Sequence, residues 1–154
     1  MRAAAAALGM LALLPACASS NKPVEACVIF SASSNLNLYD GQPHALTVYL
    51  YPLASSQGFQ QANVDDLLGG ATPPGVLAPP SPITIAPGEE KRSFEDLFPS
   101  QTTEVGVVAD YYRAPGDPEG TRTQVVPARC GMRKPKLALS AKDIYRNEVD
   151  ATPD

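Results

Sequence analysis

The chain has 154 residues, a formal net charge of −4 and 44% hydrophobic residues. A chain of this length fits one domain and can bury a substantial core. The acidic balance gives no support to nucleic-acid binding. The 16 prolines disfavour long helices and favour turns and edge strands. We therefore expect a single β-rich domain that does not bind nucleic acid.

The N-terminus has the pattern of a bacterial lipoprotein signal. A positive start at Arg2 precedes an uncharged stretch, residues 3–14, too short for a bilayer that takes about 20 residues to cross. Leu14-Pro15-Ala16-Cys17 follows and resembles the lipobox, in which cleavage precedes a cysteine that carries diacylglycerol. We expect a signal peptide at residues 1–16 and lipid on Cys17. Residue 18 is Ala and not the Asp that holds lipoproteins at the inner membrane, so we expect anchoring in the outer membrane, facing the periplasm. The alternative is an ordinary signal peptide with an incidental cysteine.

Two further cysteines fit an oxidising compartment. With Cys17 assigned to lipid, Cys27 and Cys130 remain, and an exported chain with two remaining cysteines most simply forms one disulfide. In the chain-entropy model a loop of about 100 residues is worth up to about 4.7 kcal/mol. A redox-active pair usually has a C-x-x-C spacing, which this pair lacks. The sequence favours a structural disulfide.

The elements of the mature chain follow from hydrophobic period and turn residues. We expect a flexible tether at residues 17–25, a domain at 26–145 and a flexible tail at 146–154. The predicted elements are, in chain order, strands at 26–31 and 45–53 around a loop at 33–43, a helix at 60–68, an irregular loop at 71–82, a strand at 83–85, a strand or helical turn at 91–98, and strands at 104–112, 123–127 and 136–140.

Three of these segments have the clearest patterns. In residues 45–53 the side chains of Leu46, Val48 and Leu50 alternate with those of Thr47, Tyr49 and Tyr51, which predicts a strand with one face in the core and an aromatic face partly covered. Residues 104–112 are apolar on both faces, as a central strand is. Asn63 is a possible N-cap of the predicted helix, which Gly69 ends. In residues 91–98 the apolar side chains fit a helical face slightly better than a strand. Together these segments predict an all-β fold: a two-layer β-sandwich with one or two short helical insertions.

The sequence offers little for catalysis. His44 is the only histidine, so a histidine-rich metal site is excluded, and a surface or capping role is favoured. Asp65-Asp66 and Glu89-Glu90 are best explained as solvated charges. Asp110 could be partly buried at the end of its strand, where a hydrogen bond to a turn explains it as well as a catalytic role. We expect a binding protein and not an enzyme, with no metal, no cofactor and no small-molecule substrate.

Four stretches together resemble one family. They are Ser34-Asn35-Leu36-Asn37 with Asp40-Gly41-Gln42-Pro43 and the strand Leu46 to Leu53, then Phe59 to Leu68, then Ile83 to Glu89, and then Val105 to Arg113. Their order behind a lipobox is similar to the TssJ (VasD/SciN) family, the outer-membrane lipoprotein of type VI secretion systems. The resemblance covers about residues 26 to 140.

The resemblance implies a transthyretin-like sandwich that anchors the secretion membrane complex by binding the periplasmic part of the inner-membrane protein TssM. In the family the loop between the first two strands makes this contact. Carried over to residues 33–43, it assigns partner binding to Asn35, Leu36, Asn37, Leu38 and Tyr39.

Apolar side chains in this polar loop are candidate interface anchors. The alternative, equally open, is that Leu36 and Leu38 fold back over the end of the sandwich. We expect charges at Leu36 and Tyr39 to weaken TssM binding and leave the fold intact. Two other classes remain open: a different envelope-assembly or pilotin-like lipoprotein, and a transthyretin-like hydrolase, which a single histidine disfavours.

Overall fold

The computed structural model describes residues 22–93, 97–118, 120–128, 130 and 134–147. Within them the chain forms ten strands and two short helices. In chain order these are β1 (Val24–Glu25), β2 (Val28–Ala32), β3 (Leu46–Leu53), α1 (Gln57–Gln61), α2 (Val64–Leu68), β4 (Ser81–Ile85), β5 (Glu90–Ser93), β6 (Leu97–Phe98), β7 (Glu104–Ala109), β8 (Thr123–Pro127), β9 (Lys136–Leu139) and β10 (Ile144–Arg146).

The main strands form two four-stranded sheets. Sheet I has the order β10-β9-β2-β5, and sheet II has the order β4-β3-β7-β8. Neighbouring strands are antiparallel except β2 and β9, which are parallel. The predicted two-layer sandwich is confirmed.

The core between the sheets follows the period of two. In β3 the side chains of Leu46, Val48 and Leu50 are fully buried and pack with Phe30 of β2 and Leu137 of β9. Every second residue of the strand is apolar because alternate side chains of a strand face the opposite sheet.

Sheet II is covered on its outer face as well. There the two helices bring Phe59 and Leu67 onto Tyr51 and Val108, and the Tyr51 hydroxyl donates a hydrogen bond to the Leu67 carbonyl. This second layer explains why the segment around β7 is apolar on both faces, as the sequence predicts for a central strand.

A glycine makes room for this outer layer. An added Cβ on Gly106 of β7 would lie 2.6 Å from Cε2 of Phe59. That is well inside van der Waals contact, so only a residue without a side chain lets the ring lie on the strand.

A disulfide and a short strand pair hold the first described residues against the rest of the domain. Cys27 and Cys130 form the predicted disulfide, and β1 pairs with β6. Because β1 includes residues 24 and 25, the end of the predicted tether already lies in a strand. Cys17 and the rest of the predicted signal and tether up to residue 21 lie outside the described residues.

Some elements differ from the prediction. The helix predicted at 60–68 is two helices, because Asn63 is extended and its side chain accepts from the Asp65 amide as the N-cap of α2. In the segment 91–98 the described residues form strands β5 and β6, so the helical turn slightly favoured there is wrong for those residues. Strand β10 was not predicted and extends one residue into the predicted tail.

Candidate partner-binding loop

The loop at residues 33–43, here called the apical loop, lies at the end of β2 opposite the disulfide at Cys27. Strand β2 starts beside the disulfide at Cys27 and leads directly into the loop. Ser33 is six residue steps of extended chain beyond Cys27, which is roughly 20 Å at the rise of a strand. The apical loop therefore points away from the end at which the chain enters the domain.

Main-chain hydrogen bonds fix the loop to the turn between β9 and β10. The amides of Ser33, Asn37 and Leu38 donate to the carbonyls of Leu139, Ser140 and Ala141 at 2.8, 3.4 and 3.1 Å. The Gly88 amide also donates to the Ser33 carbonyl at 3.0 Å. These backbone hydrogen bonds hold the loop in one conformation, although little of it is β-strand.

The tip of the loop is a minimal hairpin. Tyr39 and Gln42 exchange both backbone hydrogen bonds, at 3.1 and 3.0 Å. Between them Asp40 and Gly41 have φ of 51° and 73°. Two successive positive φ values are the signature of a type I′ turn, and Asp-Gly is a preferred pair for it. The tip is thus shaped by its own sequence.

Asn37 holds the loop to its neighbours. Its φ is 46°, in the left-handed region that asparagine tolerates better than most residues. The residue is buried, at 7% exposure. Its Nδ2 donates to the Ala45 carbonyl at 3.2 Å, and its Oδ1 accepts from the Tyr112 amide at 2.8 Å. Asn37 therefore fastens the apical loop to the start of β3 and to the chain that follows β7.

The predicted partner-binding residues divide into two groups by burial. Leu36 is fully buried in the core between the sheets and Asn37 is nearly so, whereas Asn35 is exposed and Leu38 and Tyr39 are half-buried. Leu36 therefore folds back into the core, as one of the two alternatives expected for Leu36 and Leu38, whereas Leu38 is only half-buried. The expectation that a charge at Leu36 leaves the fold intact is wrong, because the charge would have to enter an apolar core.

An aromatic stack supports the surface of the loop. The ring of Tyr39 lies 3.6 Å from the imidazole of His44, centroid to centroid and nearly parallel, and 4.4 Å from the ring of Tyr112. His44 is half-buried, and its amide donates to the Leu36 carbonyl at 3.0 Å. The stack on Tyr39 gives this histidine a structural role that the expected surface or capping role did not include.

The segment after β7 is tied to the same end of the sandwich. Tyr111 is buried, and its hydroxyl donates to the Asp143 carbonyl at 2.8 Å. Burial raises the pKa of the Tyr111 phenol well above its ordinary value, and the nearby Asp143 raises it further. The next residue, Tyr112, is 49% exposed beside the loop.

The remaining acidic candidates are structural or solvated. Asp65 pairs with Arg122 at 2.9 Å, and Glu89 accepts from the Ala86 amide at 2.7 Å. Asp110 is exposed, not partly buried as expected. Its amide donates to the Thr47 carbonyl at 2.9 Å, which continues the pairing of β7 with β3.

Sequence reasoning missed the part played by Tyr112, since nothing in the local pattern joins residue 112 to residue 37. The hairpin tip could have been found, because Asp-Gly next to an alternating strand is a strong turn signal. No helix among the described residues is both long and apolar enough to cross a membrane.

Comparison with known proteins identifies the family. The family model described as "Type VI secretion lipoprotein, VasD, EvfM, TssJ, VC_A0113" matches residues 25–143. The crystal structure of the T6SS lipoprotein TssJ1 from Pseudomonas aeruginosa is 30% identical, with a TM-score of 0.62 over 80% of this chain and 95% of that one. The structure of Lip from Serratia marcescens, a membrane-bound component of the type VI secretion system, is 16% identical, with a TM-score of 0.63 over 86% of this chain and 99% of that one.

A chain of the structure described as the T6SS protein TssM C-terminal domain from EAEC is 17% identical, with a TM-score of 0.63 over 80% of this chain and 97% of that one. No curated protein matches the sequence significantly. Because the family model covers most of the chain and a solved relative reaches 30% identity, the chain belongs to the TssJ family, the membrane-associated lipoproteins of the type VI secretion apparatus.

Proposed function

We propose that this lipoprotein anchors the type VI secretion membrane complex to the outer membrane by binding the periplasmic part of TssM through the apical loop. The observation that carries the proposal is the position and order of that loop. It lies at the end of the sandwich opposite the chain's entry, and its backbone is bonded to the turn between β9 and β10.

A loop held in one conformation suits binding without catalysis. Ordering a flexible side chain at an interface costs about 0.5–1.5 kcal/mol, and a segment already fixed avoids much of that cost. The Asn37 side chain and the stack of Tyr39 on His44 supply this order here.

Lipid on Cys17 supplies the other half of the function. Only six residues lie between Cys17 and Val24 of β1, so the seven residue steps span at most about 25 Å. A connection this short keeps the disulfide end near the bilayer and presents the apical loop towards the periplasm. The Ala at position 18 supports the outer membrane as the site of anchoring.

Solved structures of similar chains support the partner. A structure described as a type VI membrane complex contains a chain that is similar to this one, with a TM-score of 0.66 at 16% identity. The description of the similar EAEC structure names the TssM C-terminal domain. At that identity the likeness shows the fold alone. The assignment of TssM to this chain is therefore tested by binding.

The binding test uses the full-length lipoprotein in detergent and the purified periplasmic domain of TssM from the same system. Isothermal calorimetry compares the wild type with Leu38→Asp and Tyr39→Asp on the apical loop. Gln60→Asp is the matched control, since Gln60 is exposed on α1, outside the loop. We expect weaker binding by the two loop variants and unchanged binding by the control, with similar melting temperatures. Equal affinity of all four proteins would remove the loop from the interface.

The anchoring test uses Cys17→Ser. This variant should fold and bind TssM in solution but abolish secretion in cells, because the lipid is missing. Normal secretion by Cys17→Ser would rule out the anchoring role.

A further inference from the structure

We propose that residues 110–112 join the apical loop in one acidic and aromatic surface, and that this surface binds an arginine or lysine side chain of the partner. The surface consists of Tyr39, Asp40, Asp110 and Tyr112 and is called here the Tyr-Asp surface. The inference rests on the proposed function and names the chemistry of its binding site.

The two segments form one unit in the structure. The Tyr39 and Tyr112 rings lie 4.4 Å apart, centroid to centroid, with an interplanar angle of 34°, and the Tyr112 amide donates to Asn37 Oδ1. Tyr112, at 49% exposure, is one of two exposed large apolar residues among the described residues. An exposed tyrosine fixed against a second ring is a typical interface anchor, because few rotamers are lost when it binds.

Two exposed acidic residues lie close to the rings in the sequence. Asp40 follows Tyr39 at the hairpin tip and is exposed. Tyr111 is buried, whereas its neighbours Asp110 and Tyr112 are both exposed. A guanidinium or ammonium group on this surface would meet a tyrosine face and a carboxylate together, and both interactions favour a cation.

The cations near this end are already engaged with other groups. The Arg113 guanidinium donates to the Pro118 carbonyl, and Lys142 Nζ lies 2.8 Å from Asp117 Oδ2. The ion pairs found within the described residues use Glu90, Asp65 and Asp117 as their acids. The charges of Asp40 and Asp110 therefore remain to complement a basic partner.

The experiment measures affinity for the purified periplasmic domain of TssM at low and high salt. The variants are Asp40→Asn with Asp110→Asn, and Tyr112→Ala. The charge-matched control is Glu25→Gln with Asp66→Asn, two exposed acids outside the Tyr-Asp surface. We expect the Asp40/Asp110 variant to bind roughly tenfold more weakly at about 50 mM salt, with the deficit shrinking at about 300 mM as screening increases. Tyr112→Ala should bind at least about tenfold more weakly at both salts, and the control should match the wild type.

The outcomes separate this inference from the proposed function. If the wild type binds TssM and the Asp40/Asp110 and Tyr112 variants bind equally well, the Tyr-Asp surface is overturned and the anchoring function stands. If the wild type does not bind TssM, the proposed function fails.

A hexa-arginine peptide then tests the surface alone, by its effect on the NMR signals of Tyr39 and Tyr112. Shifts lost in the Asp40/Asp110 variant but kept in the control would support the cation preference, and shifts equal in both variants would overturn it.

Discussion

Replacing Asn37 by glycine tests how the apical loop is held. Glycine adopts the positive φ of this position without strain but loses both side-chain hydrogen bonds, to the Ala45 carbonyl and from the Tyr112 amide. Glycine also makes the unfolded chain more flexible, which costs stability by itself. The matched control is therefore Asn35→Gly, because Asn35 is exposed in the same loop and carries the same unfolded-state cost.

The magnitude follows from the two bonds. Each hydrogen bond contributes about 0.5–1.5 kcal/mol net, so the free energy of unfolding of Asn37→Gly should lie about 1–3 kcal/mol below that of Asn35→Gly. For a domain of this size that difference lowers the melting temperature by roughly 3–15 °C. If the loop detaches without global unfolding, the loss appears as local opening instead.

Two measurements cover both possibilities. Urea denaturation reads global stability, and hydrogen exchange reads the Tyr112 amide, which should lose protection in Asn37→Gly and keep it in Asn35→Gly. Binding of TssM should weaken with the loss of order. Equal stability and equal Tyr112 exchange in the two variants would refute the role given to Asn37.

Three further predictions concern the body of the sandwich. Gly106→Ala should lower the free energy of unfolding by about 1–3 kcal/mol, because its Cβ would overlap the Phe59 ring; Phe59→Leu in the same chain should recover part of the loss in urea titrations. Because the pKa of Tyr111 is raised in the folded state, its contribution to the free energy of unfolding is complete below the unfolded-state pKa near 10 and is lost as the pH rises above it. Tyr111→Phe should therefore flatten the fall in melting temperature at alkaline pH. An unchanged fall would contradict the raised pKa of Tyr111. Replacing Cys27 and Cys130 by alanine should cost about 2–5 kcal/mol, and calorimetry showing no loss would mean that the disulfide does not stabilise the domain.

Much of the sheet structure could be predicted because it depends on local periodicity. The strand at Leu46–Leu53 alternates along its own sequence, and Asn63 is a recognisable N-cap next to its helix. The pairing of Cys27 with Cys130 followed from the small number of cysteines in an exported chain.

The missed features depend on contacts between distant segments. Strands β1 and β10 have two and three residues, too few to show a period, and they exist because a neighbouring strand pairs with them. The burial of Leu36 and the exposure of Tyr112 depend on how the apical loop lies against β3 and β7. Which apolar residues of a loop rich in turn formers are buried cannot be predicted from the loop sequence alone.

The most direct test of the central claim is site-specific photo-crosslinking in cells that make the lipidated protein. A photoreactive residue at position 39 of the apical loop should yield an adduct with TssM in the membrane fraction, and one at position 60 on α1 should not. Replacing Cys17 in the position-39 protein should remove the adduct from the outer membrane. An adduct at position 60 in place of position 39, or none at position 39 in secreting cells, would contradict an anchor that holds TssM through the apical loop.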